Sequence, residues 1–288
     1  MWHGEDHGIF PPYLYGSRKK KSTHEALITM RCMYDLARIE RRYMVSMFND
    51  LKGCYDRVRP NLNTITSRRM GCTKAAAVCH ATTVRQMVHK VKTATGLSEG
   101  SIMWDPKSNP GGIGQGSGAG PQSYHSHLLI KAAAYETLTD RNLQFKSPDG
   151  TDIFTQWLVG FVDDNTILFS IPNKDFSQTL IDKLLTECEK CVGIWQKLVV
   201  IPGGELEVKK CSVAVMSWIT KNGKEVLASN MEAPGSFHLT SVLDPSISKL
   251  IKRLEPQHGE RVLGVRLSLD GNDDQEYAFR LKKIQALS

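Results

Sequence analysis

The sequence predicts an α+β fold built on a split β-α-β-β-α-β sheet, and three observations predict it. The first is the stretch Gln156 to Ser170, where two apolar runs, Trp157 to Val162 and Thr166 to Phe169, flank Asp163-Asp164-Asn165. Short runs rich in β-branched and aromatic residues, broken by Asp-Asp-Asn, read as the two strands of a tight antiparallel hairpin. The second is a lone strand candidate, Tyr43 to Phe48, that ends in Asn49-Asp50. The third is order: from Tyr43 the elements run strand, helices, hairpin, helix, strand. In that topology the end of the first strand lies beside the hairpin tip, so Asp50 is expected opposite Asp163 and Asp164.

Each element has its own local reason. Pro11-Pro12 and Gly16 keep residues 1–17 in a loop. After the basic run Arg18 to Lys21, Ser22 and Glu25 form a capping box, and Leu27, Met30, Met33, Tyr34 and Ala37 continue at helical spacing to about Glu40. Asp50 to Asp56 is a turn, followed by helical pieces over about 60–70 and 73–94. The densest glycine stretch runs from Gly111 to Gly120, and a helix is expected from Pro121 to about Thr139, since proline fits the first helical position. Phe176, Leu180, Leu184, Leu185 and Cys188 mark a helix to about Leu198, which Pro202-Gly203-Gly204 ends. Strands are expected at 211–219 and 225–229 around Asn222-Gly223, a hairpin signal, then at Val262 to Leu267, with a last helix from Gln275.

Composition bounds the function. The 288 residues suffice for one large core or two modest domains, and the net charge of +7 is unevenly placed. Residues 1–100 carry 17 Lys and Arg against 8 Asp and Glu, a basic half suited to holding a polyanion beside the carboxylates. Seven cysteines form no regular framework; Cys188-x-x-Cys191 lacks a second pair, so all seven are expected as reduced thiols. The polar start is unlike a secretory signal and no apolar run reaches membrane-span length, so an intracellular protein without a membrane partner is expected.

The chemistry follows from the three aspartates. Carboxylates from a strand end and a hairpin tip can hold two Mg²⁺ ions about 4 Å apart, the arrangement that stabilises both oxygens of an in-line phosphoryl displacement. The expected principal ligands are Asp50 and Asp163 with one oxygen of Asp164, while Asp56 is expected to be structural. The glycine-rich stretch also admits a nucleotide-cradling loop, but it lacks a Gly-Lys-Ser/Thr ending and a clear preceding strand.

Six motifs in order carry a family resemblance. Asp50-x-x-x-x-Tyr55-Asp56, Gln115-Gly116 before Pro121, Phe161-Val162-Asp163-Asp164, Gly203-Gly204-x-Leu206-x-x-x-Lys210, Val262-Leu263-Gly264-Val265 and Tyr15-Gly16-Ser17-Arg18 together resemble the blocks of a retrotransposon-type reverse transcriptase. The resemblance runs from about Tyr15 to about Gly271. It implies a right-hand polymerase fold: fingers at 1–42 and 60–115, a palm at 43–59 and 116–235, and the end of the palm with a truncated thumb at 236–288. It implies an RNA-directed DNA polymerase that uses dNTPs, a nucleic-acid primer–template and two Mg²⁺ ions, or Mn²⁺ in their place.

The resemblance also assigns roles. Asp50, Asp163 and Asp164 are catalytic and metal-binding; Tyr55, Gln115, Gly116, Lys210 and Arg18 face the nucleotide; Gly264 lies near the primer terminus. The polar positions Lys74 and Arg85 are expected to line the nucleic-acid cleft. The Ser-Gly-Ala-Gly before Pro121 is smaller than the family's usual residues, and strands before Tyr15 and most of a thumb are missing from the pattern. A second function therefore stands beside the first, an inactive retroelement remnant that only binds nucleic acid.

Overall fold

The computed structural model describes residues 5–103, 112–113, 120–139, 144–147, 149–171 and 177–286. Its centre is a mixed six-stranded sheet. Strand β1 (Tyr43–Asn49) lies in the middle, antiparallel to both neighbours. The helices α1 (Thr23–Ile39), α2 (Cys54–Arg57), α3 (Pro60–Arg69) and α4 (Lys74–Arg85) flank it in sequence. Next come the short strands β2 (Val88–His89), β3 (Lys92–Thr93), β4 (Gly96–Leu97) and β5 (Ile102–Met103), then helix α5 (Gly120–Leu138). Strands β6 (Gln144–Lys146) and β7 (Ile153–Thr155) pair with each other, and β8 (Leu158–Phe161) and β9 (Asp164–Ile171) form the hairpin. After α6 (Gln178–Val200) come β10 (Ser212–Met216), β11 (Trp218–Lys221) and β12 (Lys224–Leu227). The chain continues through β13 (Phe237–Thr240), β14 (Ser248–Leu254), β15 (Glu260–Val262) and β16 (Val265–Leu267) to α7 (Asp274–Gln285).

The sheet order is β13-β14-β10-β1-β9-β8. Its four strands β10-β1-β9-β8 have the order and antiparallel pairing of a split βαβ sheet, as the sequence predicts. Strand β1 is buried along its length except for Phe48, which is half-buried, so both of its faces are covered. Helix α1 keeps its capping box: Glu25 N–H donates to Ser22 Oγ at 3.2 Å and Ser22 N–H to Glu25 Oε2 at 2.8 Å. It buries Met30, Met33, Tyr34 and Ala37. Helix α6 starts at the Ser177 cap and buries Leu180, Leu184, Cys188, Trp195 and Val199 along one stripe. An aromatic cluster ties α5, α6 and β8 together, with Tyr135 stacked on Trp157 at 4.3 Å and Trp195 edge-on to both. All seven cysteines are free thiols, and burial together with the neighbouring Cys191 holds the Cys188 thiol well above its usual value.

Several expectations are corrected. The helix expected over 73–94 ends at Arg85, and β2 to β5 are two exposed two-stranded ladders. The strand expected at 211–219 breaks at Ser217, and that expected at 262–267 is a hairpin turned at Leu263-Gly264. Strands β13 and β14, absent from the sequence expectation, extend the sheet, β14 running parallel to β10.

The loop after α6 is bolted to the turn after β1. Lys52 N–H donates to Glu205 O and Glu207 N–H to Asp50 O, both at 2.9 Å, and Leu51 bridges to Leu206. Gly203 makes this approach possible: φ is +100°, and a Cβ there would sit 2.4 Å from Arg57 O. Gly203→Ala combines an unfavourable backbone with a backbone clash, so it is expected to cost about 2 kcal/mol or more. A chemical-denaturation midpoint that does not move would show the loop to be looser than this geometry implies.

Candidate functional site

The register of β1 against β9 places the first two carboxylates. Asn49 faces Asn165, so one residue further Asp50 leaves β1 beside Asp164, the first residue of β9. Both line one cleft of about 150 Å³, together with Lys210, Glu260, Arg261 and Val262. Asp50 Oδ2 lies 3.4 Å from Lys210 Nζ. Desolvation, then the charges of Asp163 and Asp50, push the Asp164 carboxyl above its ordinary value. Like charges held this close favour a divalent cation, and carboxylates with water are the donors Mg²⁺ prefers. Among the described residues, no group of three His, Cys, Asp or Glu side chains is already gathered as a metal cage.

Asp163 sits differently from the expectation. The hairpin turn is Val162-Asp163, not Asp163-Asp164, because β8 ends at Phe161 and β9 begins at Asp164. The β-branched Val162 has φ +60°, an uncommon conformation of the kind held in place at functional turns. Asp163 is exposed and does not line the cleft of Asp50 and Asp164. Its charge acts on Cys54, Tyr55 and Tyr124 instead, adding to the burial that chiefly raises the pKa of each. The cleft-lining pair is therefore Asp50 and Asp164.

Segment 13–18 wraps the hairpin. Gly160 N–H donates to Tyr13 O at 2.9 Å and Tyr15 N–H to Gly160 O at 2.8 Å. A Cβ on Gly16 would lie 2.6 Å from Val162 Cγ2, so only glycine lets the strand pass under the strained turn. Arg18 locks this wrap. Its guanidinium is bidentate to Glu5 at 3.0 and 2.9 Å and donates to Pro11 O and Leu14 O at 2.6 and 2.8 Å. Four of the five guanidinium N–H groups are engaged and the side chain is only 8% exposed, so in this conformation Arg18 braces the loop instead of reaching a triphosphate.

Tyr55 lies on α2, half-buried, with its ring 5.5 Å from that of Tyr124 at 48°. Desolvation, then Cys54 and Asp163, push its hydroxyl up to about 12. The buried Ile113 pins the backbone below, donating its N–H to Tyr55 O at 2.9 Å. Gln115 and Gly116 lie outside the described residues. Gly264 is at the turn between β15 and β16, and Arg280 donates to its carbonyl at 3.2 Å. Lys74 opens α4 and is exposed; Arg85 closes it, also exposed, and donates to Asn61 Oδ1.

Two cleft residues were not singled out from sequence, Glu260 and Arg261. Ser212 Oγ donates to Glu260 Oε2 at 3.4 Å. The signal was their place just before Val262-Leu263-Gly264, which brings β15 over the end of β1.

No family model matches the chain, and no curated protein matches it. A solved structure of telomerase from Candida tropicalis, in complex with the TWJ fragment of telomeric RNA, is similar at 14% identity and a TM-score of 0.46 over 91% of this chain. This chain spans 34% of that one. No helix among the described residues is long and apolar enough to cross a membrane.

Proposed function

We propose that the chain is an RNA-directed DNA polymerase, extending a primer on a nucleic-acid template by nucleotidyl transfer from dNTPs. The observation that carries this reading is the register that sets Asp50 and Asp164 on one cleft, with Asp163 on the turn between β8 and β9. In this reading Asp50 and Asp164 would hold two Mg²⁺ ions, or Mn²⁺, from the cleft, and Asp163 would join them from the turn. Such a pair, when bound, stabilises the attacking and leaving oxygens of the displacement. Lys210 is on the cleft to meet the phosphates, and Tyr55 faces the sugar. The sheet and hairpin form a palm, residues 1–42 and 60–115 form fingers, and 236–288 complete the palm and begin a thumb.

The deciding experiment is primer extension on poly(rA)–oligo(dT) with Mg²⁺. Extension that requires a divalent cation is expected. Binding of primer–template with no extension under Mg²⁺ or Mn²⁺ would replace the polymerase by a nucleic-acid-binding remnant.

Arg68, Arg69, Lys74 and Arg85 lie exposed along α3 and α4, with no acidic residue on either helix. Primer–template affinity is therefore expected to fall with salt, by about 0.9 log unit per phosphate contact for each log unit of salt on a duplex. A flat salt dependence, measured by fluorescence anisotropy, would reduce these side chains to a solvated face.

A further inference from the structure

Lys131 is a buried cation that the polymerase reading does not use. It lies on α5 two turns beyond Tyr124 and is 6% exposed. Among the described residues no carboxylate comes within ion-pair reach of it. Its Nζ donates to the Tyr124 hydroxyl at 3.2 Å and lies 4.8 Å from the centre of the Tyr124 ring and 5.9 Å from that of Trp195. Burial lowers its affinity for a proton, with a pKa of about 8, and the Cys54 thiol opposes that shift. An ammonium taken from water without a carboxylate costs stability. Its hydrogen bond goes to a tyrosine, Tyr124.

That tyrosine backs Tyr55. The two rings are in contact, and Tyr124 is itself 2% exposed, so it has no room to yield once its hydroxyl is held. The Tyr55 backbone is fixed separately, from below, by Ile113 N–H. The remaining freedom of the Tyr55 side chain is therefore limited by Tyr124. Lys131, Cys54 and Tyr124 also line one small cavity of about 10 Å³ beneath the turn that follows Asp50.

We propose that Lys131 is a positioning residue for sugar selection: it fixes Tyr124, Tyr124 fixes the Tyr55 ring, and that ring sets the space left at the 2′ position of an incoming nucleotide. The proposal rests on the polymerase reading, so its test has one arm that needs no activity. In that arm a single 3-fluorotyrosine at position 55 reports by ¹⁹F NMR in wild type, Lys131→Met and Tyr124→Phe. Lys131→Met replaces an unpaired buried charge by an apolar chain of similar length and is expected to fold. Both substitutions are expected to shift the resonance. In the second arm, the ratio of dNTP to rNTP incorporation efficiency is expected to drop about tenfold in either variant. The double variant is expected to be no worse than either single one, as members of one chain of contacts are not additive. Lys131→Arg is expected to restore part of the ratio.

An unmoved resonance overturns the proposal whether or not the protein polymerises. An active enzyme whose sugar selectivity ignores both substitutions overturns it as well. A shifted resonance in a chain that does not extend primers upholds the contact chain and removes the polymerase reading instead. If Lys131→Met fails to fold, Tyr124→Phe carries both arms.

Discussion

Asp50→Asn is expected to lower primer extension on the order of 10³-fold, about 4 kcal/mol of transition-state stabilisation, with primer–template affinity changed by less than about threefold. The size follows from position. Asp164 has a second carboxylate beside it in the chain, Asp163 on the turn, whereas Asp50 is the one aspartate that follows β1, and it lines the cleft itself. Asparagine keeps the shape and removes the charge, so in the polymerase reading a metal pair held there would lose a ligand and its electrostatic weight together. The fold should survive. The ion pair that Asp50 makes with Lys210 is open to solvent, 37% and 66% exposed on its two sides, and such pairs are worth about 1 kcal/mol or less. Single-turnover extension with filter binding on the same preparation separates the two quantities. Equal losses in binding and in rate, or a variant that extends at wild-type speed, would remove Asp50 from the chemistry.

How much of this was legible in the sequence depends on how local each determinant is. The split sheet could be read because β1, β8, β9 and β10 are apolar runs that the turns around Asp50 and Asp163 punctuate. The register that brings Asp50 beside Asp164 followed from topology alone. Strand β14 could not be read, since Ser248 to Leu250 and Lys252 are exposed and Lys249, Lys252 and Arg253 are charged. It is a strand because β10 offers an unpaired parallel edge, a partner distant in sequence. The end of α4 at Arg85 was missed for the opposite reason: helical spacing continues past it, but Val88 to Leu97 are all exposed. In the site, the error of one residue in the turn came from reading Asp-Asp-Asn as turn chemistry. Packing overrides that preference, because β9 continues its pairing with β8 up to Asp164 and forces the turn onto Val162. Arg18 shows the remaining gap. A basic run before a helix has the composition of a phosphate site, and only the three-dimensional wrap reveals that Glu5 and two carbonyls consume it.

Tyr55→Val is expected to let the enzyme incorporate ribonucleotides while dNTP incorporation drops much less. Tyr55 lies five residues after Asp50, on α2, and its ring is tilted against that of Tyr124, with centroids 5.5 Å apart. The ring is only half-buried, so part of it is exposed, and in the polymerase reading that part would meet the sugar. A side chain of this size leaves no room for a 2′-hydroxyl, and exclusion by a clash discriminates further than one lost apolar contact, which yields about 1–3 kcal/mol. Valine removes the ring and keeps a β-branched, apolar residue. A purely structural tyrosine predicts a different outcome. Shortening it would open a cavity against Tyr124 and lower stability by about 3 kcal/mol, and incorporation of both sugars would fall together. Competing rNTP and dNTP incorporation by Tyr55→Val, read beside its melting temperature, tells these apart: a selectivity that stays at the wild-type ratio ends the steric role of Tyr55 even in an active polymerase.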